Sequence, residues 1–132
     1  MLERNKETIR KANALLTEGK SDEFALLCAE DIKWTLLADT PLVLNGREAL
    51  LKFMTSKEEE NGDVPSFTID KIIGENDSVV CLGQMTMKEK DGAEQEYTFC
   101  DIYTFKNEEI AEFVTLMSKS QAETGKKDSA AA

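Results

Sequence analysis

The segment Tyr97-Thr98-Phe99-Cys100-Asp101-Ile102-Tyr103-Thr104-Phe105 decides the fold. At a period of two, one face carries Tyr97, Phe99, Asp101, Tyr103 and Phe105, and the other carries Thr98, Cys100, Ile102 and Thr104. β-Branched and aromatic residues dominate, so the segment reads as a strand. The rings on the first face would form an apolar patch that a soluble monomer rarely shows, so that face is buried. Asp101 sits in its middle. A carboxylate among rings is either satisfied by specific donors or held toward its neutral form by desolvation, which raises its pKa. A bulge in the strand would instead turn it to solvent.

Working outward, Asp91-Gly92 is a hairpin signal that joins this strand to one running from Ser78 to Lys88. Before that, Phe67, Ile69, Ile72 and Ile73 form a strand ending at Gly74-Glu75-Asn76-Asp77. After Asn107-Glu108-Glu109, a last strand runs from Ile110 to about Met117. The first half of the chain has a different period. Ile9, Ala12, Leu15 and Leu16 recur at helical spacing between Glu7 and Glu18, and Gly19 is the stop. Ser21 starts a shorter helix carrying Phe24 to Ala29, with Asp22 and Glu23 in its first turn.

Asp31 to Leu37 alternates as a strand, which Ala38-Asp39-Thr40-Pro41 breaks. Asn45-Gly46 then turns into a third helix with Leu50, Leu51, Phe53 and Met54 on its inner face, and Lys57 to Asp63 reads as a solvated loop. Residues 118–132 have no periodicity and read as a disordered tail, leaving one domain over 1–117. Helices followed by an antiparallel meander mean an α+β layer fold with helices on one sheet face. The other face needs a partner, and a second copy of the chain is the simplest.

Composition narrows the function. A net charge of −10 over 132 residues argues against nucleic acid and anionic membranes as partners. No apolar run approaches the ~20 residues of a membrane span, and the charged start is unlike a signal peptide. Three cysteines in unrelated contexts favour buried thiols in a reduced, cytoplasmic setting over a disulfide framework. Histidine is absent, which removes the Ser-His and Cys-His dyads and the usual zinc ligands. Acid–base work then falls to Asp, Glu, Tyr, Lys or Cys. The acids of the charged loop lack calcium-loop spacing, and no phosphate loop or cofactor motif is present, so neither metal nor cofactor is expected.

Three segments resemble the SnoaL-like and ketosteroid-isomerase-like members of the nuclear-transport-factor-2 superfamily. They are Asn13 to Lys20, Ala29 to Trp34 continued by Pro41-Leu42 and Gly46 to Leu50, and Asp101 to Phe105 continued by Ile110-Ala111-Glu112. The resemblance implies a cystatin-like cone, a curved, mostly antiparallel sheet wrapped against three N-terminal helices around an apolar pocket. It also implies dimerisation through the outer sheet face. Members include isomerases, polyketide cyclases, epoxide hydrolases, dehydratases and proteins that only bind, so the fold does not settle the function. Asp101 falls where the steroid isomerases keep a protonated aspartic acid, but the helix position of their tyrosine corresponds to Ala12. Their general base would lie near Leu36 or Leu37, with Asp39 just beyond, and a histidine common after the strand tryptophan is Thr35 here. Steroid-type isomerisation is therefore not expected.

The candidate site is Asp101 as acid or base, Tyr103 as hydrogen-bond donor and Asp39 as a second carboxylate. Asp101 has an alternative role as a chemically idle, fold-determining carboxylate. Trp34, Tyr97, Phe99, Phe53, Met54, Met85 and Met87 are candidate pocket walls, with core packing as the rival role. Arg47 is a candidate for an anionic group on the ligand, or a first-turn arginine paired to a nearby acid. The expected ligand is a small apolar or amphipathic molecule, either turned over by proton transfer or only bound.

Overall fold

The computed structural model describes residues 2–38, 40–61, 66–88 and 92–120. The aromatic segment forms most of β5 (Glu94–Lys106), between β4 (Ser78–Lys88) and β6 (Glu109–Lys119). β3 (Ser66–Glu75) pairs with β4, so the second half of the chain is the expected antiparallel meander. β1 (Cys28–Leu37) joins β6 in parallel, and the short β2 (Leu42–Asn45) pairs back on β1. The sheet order is β2-β1-β6-β5-β4-β3. Three helices, α1 (Leu2–Thr17), α2 (Ser21–Ala25) and α3 (Arg47–Asn61), send Ile9, Phe24 and Leu50 into one core with the sheet's inner face. The fold is the expected α+β arrangement.

Local chemistry explains the helix ends. Gly19 has φ +75°, and the amides of Gly19 and Lys20 bond back to Leu16 O and Leu15 O, closing α1 with a left-handed glycine cap. α2 is shorter than its sequence suggests. The amide of Ile110 bonds to Leu27 O, and Cys28 is fully buried, so β6 captures the chain just past Phe24 and makes a strand of Cys28 to Glu30. Ser21 is inside α2 rather than its cap, which is Lys20, with no side-chain capping bond. α3 runs on through Asn61, into a stretch that reads as loop. Its lysine and glutamates are good helix formers, which the charge count obscures.

Curvature comes from three register shifts, between Ile69 and Lys71, between Thr104 and Phe105, and between Cys28 and Lys33. An extra residue bends its strand and tightens the twist. At the β5–β6 shift the unpaired residue is Ala111, on β6, so alternation along β5 from Tyr97 to Phe105 is unbroken. Asp101 therefore stays with the rings.

The inner face is organised in rows across the strands. One row is Val79, Tyr103, Phe113, Trp34 and Leu44; the next is Cys81, Asp101, Thr115, Leu36 and Leu42. Burial is graded along these rows. Ile110, Phe105, Val79 and Tyr103 are fully enclosed at one end, whereas Tyr97, Phe67, Met87 and Met117 at the other are only partly buried. The inner face is thus enclosed at one end and less covered at the other.

Gly83 lies in the row beyond Asp101, beside Phe99 and against β3. A Cβ there would stand 2.2 Å from Thr68 O and 2.9 Å from the Phe99 ring. Gly83→Ala is expected to cost about 3 kcal/mol, the upper end for forcing extra carbon into a packed core. A lowered urea midpoint at unchanged slope checks this.

Candidate functional site

The site is built on a ladder of rings. Phe113 of β6 stacks on Tyr103 of β5 (centroids 5.0 Å, 18°) and on Trp34 of β1 (5.4 Å, 22°). Phe53 of α3 meets the Trp34 ring edge-on at 5.5 Å, and Phe24 of α2 does the same to Phe113 at 6.2 Å. Each such pair adds about 0.5–1.5 kcal/mol beyond the area it buries. Both ends of the three-ring stack carry a polar hydrogen, and both lead to Asp101.

The Tyr103 hydroxyl donates to Asp101 Oδ2 at 3.1 Å, and the Thr115 hydroxyl donates to Asp101 Oδ1 at 2.6 Å. Trp34 Nε1 donates to Thr115 Oγ1 at 2.9 Å. The direction of this relay is forced. An indole N–H can only donate, so Thr115 accepts from Trp34 and has its own proton for the carboxylate. Tyr103, Trp34 and Thr115 are buried, while Asp101 itself is half-buried.

Burial pushes the Asp101 carboxyl up from 3.8 to about 6, against the hydrogen bonds from Thr115 and Tyr103, which favour the ionised form. The same burial, with the carboxylate nearby, raises the Tyr103 phenol well above its ordinary value. Cys81, the β4 neighbour of Asp101, is pushed up to about 12 by burial and is a neutral thiol. At neutral pH the site holds one ionised carboxylate with a pKa close enough to neutrality to take or return a proton.

The other expected residues divide by position. Trp34, Phe99, Met85 and Phe53 lie on or against the inner face around the Asp101 row, with Phe99 edge-on to Phe67 at 5.9 Å. Tyr97, Met54 and Met87 pack on the same core and are partly exposed. Arg47 is not brought to the carboxylate. Its guanidinium bonds to Cys28 O at 2.7 and 3.3 Å and lies 4.0 Å from Glu109, whereas the Asp101 row meets β1 at Leu36. It tethers α3 to the start of β1. Asp39 lies outside the described residues. Ala12 is buried in the core, and the hydroxyls that reach Asp101 are those of Tyr103 and Thr115.

Two site residues escape the sequence reading. Thr115 is a lone hydroxyl on the inward face of β6, between Phe113 and Met117, and that break in an apolar alternation was the available signal. Asn13, buried on α1, donates to Ile9 O at 3.0 Å and to Cys81 Sγ at 4.0 Å. Nothing in the local pattern separates it from a solvated helix residue. A surface depression of about 530 Å³ between Glu30, Asp31, Lys106 and Glu109 lies away from the Asp101 row. Among the described residues no cluster of Cys, Asp and Glu could hold a metal.

Comparison with known proteins gives a consistent picture. The model of the SnoaL-like domain matches residues 9–113. No curated protein matches the chain. Among solved structures, an NTF2-like protein of unknown function from Burkholderia pseudomallei superposes with a TM-score of 0.77 at 17% identity, covering 85% of this chain and 88% of its own. A candidate ketosteroid isomerase from Kribbella flavida gives 0.73 at 20% identity, covering 91% and 80%. A candidate SnoaL-like polyketide cyclase from Mesorhizobium loti gives 0.67 at 21%, covering 83% and 95%. At such identities the likeness shows the fold.

The relay makes a prediction about ionisation. Removing the Thr115 donor in Thr115→Val is expected to move the Asp101 titration above about 6, followed by carboxyl carbon NMR. The stability consequence has a definite sign. Between pH about 4 and 6 the folded chain keeps a proton that the unfolded chain has released, so Asp101 makes stability fall as pH rises through that window. Denaturation of the wild type against Asp101→Asn should show this slope only in the wild type.

Proposed function

The chain belongs to the SnoaL-like domain family, and on that premise we propose that it binds a small apolar or amphipathic molecule in the open end of the cone and moves a proton there through Asp101. The observation that carries this reading is a half-buried carboxylate on an otherwise apolar wall, aligned by two hydroxyls and titrating near neutrality. Asp101 is the proposed acid or base, Tyr103 and Thr115 hold it, and Trp34, Phe53, Phe99 and the methionines shape the walls. Asp39 remains the proposed second carboxylate. A reducing compartment such as the cytoplasm suits the three free thiols.

A second reading has a specific observation behind it. Both Asp101 oxygens already receive a hydroxyl, so the carboxylate could serve only to lock β5 to β6 while the cone binds without chemistry. A thermal-shift screen of apolar alcohols, ketones, epoxides and amines, followed by turnover of each hit, separates the two. Proton transfer at Asp101 requires Asp101→Asn to stay folded, keep its hits and lose about 10²-fold or more in turnover. Unchanged turnover, or hits that are never turned over, leaves binding alone.

The proposed macromolecular partner is a second copy of the chain. On the outer face, Val43, Thr35, Val114, Ile102, Val80 and Ile73 form one row across all six strands. Leu37, Leu116, Cys100 and Leu82 form the next, with Leu37, Leu116, Ile102, Val43 and Ile73 all exposed. An apolar belt centred on the sheet suits a two-fold, self-complementary contact. Light scattering should give twice the chain mass for the wild type and one chain mass for Ile102→Lys with Val114→Lys. A monomeric wild type would refute the dimer.

A further inference from the structure

The geometry points to an organic cation, a protonated amine on an aromatic or other apolar body, as the class of molecule the cone takes. The inference rests on the reading of the cone as a binding site given above.

The Trp34 N–H is spent on Thr115, the Thr115 O–H on Asp101 Oδ1 and the Tyr103 O–H on Asp101 Oδ2. Both amide hydrogens of Asn13 are spent, on Ile9 O and Cys81 Sγ. These donors face inward, and the protein itself consumes them all. Acceptor capacity is what remains. A carboxylate oxygen accepts two hydrogen bonds, and each oxygen of Asp101 has one from the protein. The Asn13 carbonyl oxygen receives no donor among the described residues. A ligand seated against Asp101 must therefore bring hydrogens. A carbonyl, carboxylate or phosphate brings none.

Charge selects further among donors. Among the described residues the neighbours of Asp101 are Cys81 from β4, Tyr103 from β5 and Thr115 from β6, with Asn13 of α1 set against Cys81, all uncharged at neutral pH. Phe53 and Met54 come toward the same core from α3. Arg47 is committed to Cys28 O. The negative charge of Asp101 thus has no cationic partner among the described residues, and burial raises its pKa. A positively charged ligand supplies the missing partner in a medium that screens poorly, and an anion meets repulsion there. The neighbouring walls add to this preference. Trp34, Phe99 and Phe53 are aromatic members of the same core, and rings attract an ammonium group or pack on its attached carbons.

The test is a matched series sharing one apolar body: naphthylmethylamine, naphthylmethanol and naphthoate, titrated calorimetrically into the wild type at neutral pH. The amine is expected to bind about tenfold or more tightly than the alcohol, with the carboxylate weakest. Asp101→Asn should remove the amine's advantage, while Asp70→Asn, on the exposed part of β3, should leave it intact. If Asp101→Asn does not fold, the wild type alone decides. Amine affinity must then fall as pH drops through about 6 while alcohol affinity stays level. Alcohol binding equal to or tighter than amine binding overturns the charge inference and leaves the cone as a binding site. An amine preference that survives in Asp101→Asn overturns it too, assigning the effect to the acidic surface. Binding by none of the three overturns the inference together with the binding-site reading beneath it.

Discussion

The stack of Tyr103, Phe113 and Trp34 is the contact on which the rest of the molecule depends. It crosses β5, β6 and β1, and so spans the one parallel joint in the sheet. No hairpin connects β1 to β6; they meet across most of the chain, and nothing local sets their register. Three parallel rings do. Once Phe113 lies between Tyr103 and Trp34, the next row must place Thr115 beside Asp101 and the indole N–H above Thr115. Packing and polar satisfaction therefore fix the same alignment, which is how a buried carboxylate is tolerated in an otherwise apolar face.

That arrangement leaves Asp101 in a balance between opposing effects. Desolvation favours its neutral form and two hydroxyl donors favour its ionised form, with desolvation the larger. A carboxylate given several more donors would be inert, and one given none would be neutral at working pH. The relay also gives the site a polarity. Its hydrogens are consumed inside the protein while lone pairs remain, so it is suited to removing a proton or holding a donor. It is poorly suited to stabilising an oxyanion, which needs a hydrogen not already given to an acceptor of the protein.

The two sheet faces follow from one alternation put to opposite uses. Inward residues change from enclosed rings to partly buried methionines and aromatics toward the less covered end, while outward residues form two apolar rows bounded by polar ones such as Lys33, Glu112 and Thr104. Curvature permits both. The unpaired residues at Asp70 and Ala111 bend the sheet, and Gly83 lets β3 and the Phe99 ring close over β4 where a side chain would hold them apart.

By itself the sequence determined what rests on local chemistry. The period-two run from Tyr97 to Phe105, the turn residues and the helical spacing of Ile9, Ala12 and Leu15 specify the meander, the helices and the α+β class. The parity that sets Asp101 and Tyr103 among rings could be read because no bulge interrupts β5. Only tertiary structure decided what depends on distant segments meeting. It drew Cys28 and Ala29 out of an apparent helix and into β1, because β6 supplied a strand edge that the local pattern could not reveal. It spent Arg47 on a carbonyl instead of a ligand, and it brought Thr115 and Trp34 to the carboxylate. The physical reason is common to all three: hydrogen-bond partners are chosen by geometry across strands, and a one-dimensional pattern records which face a residue occupies, but not what stands opposite it.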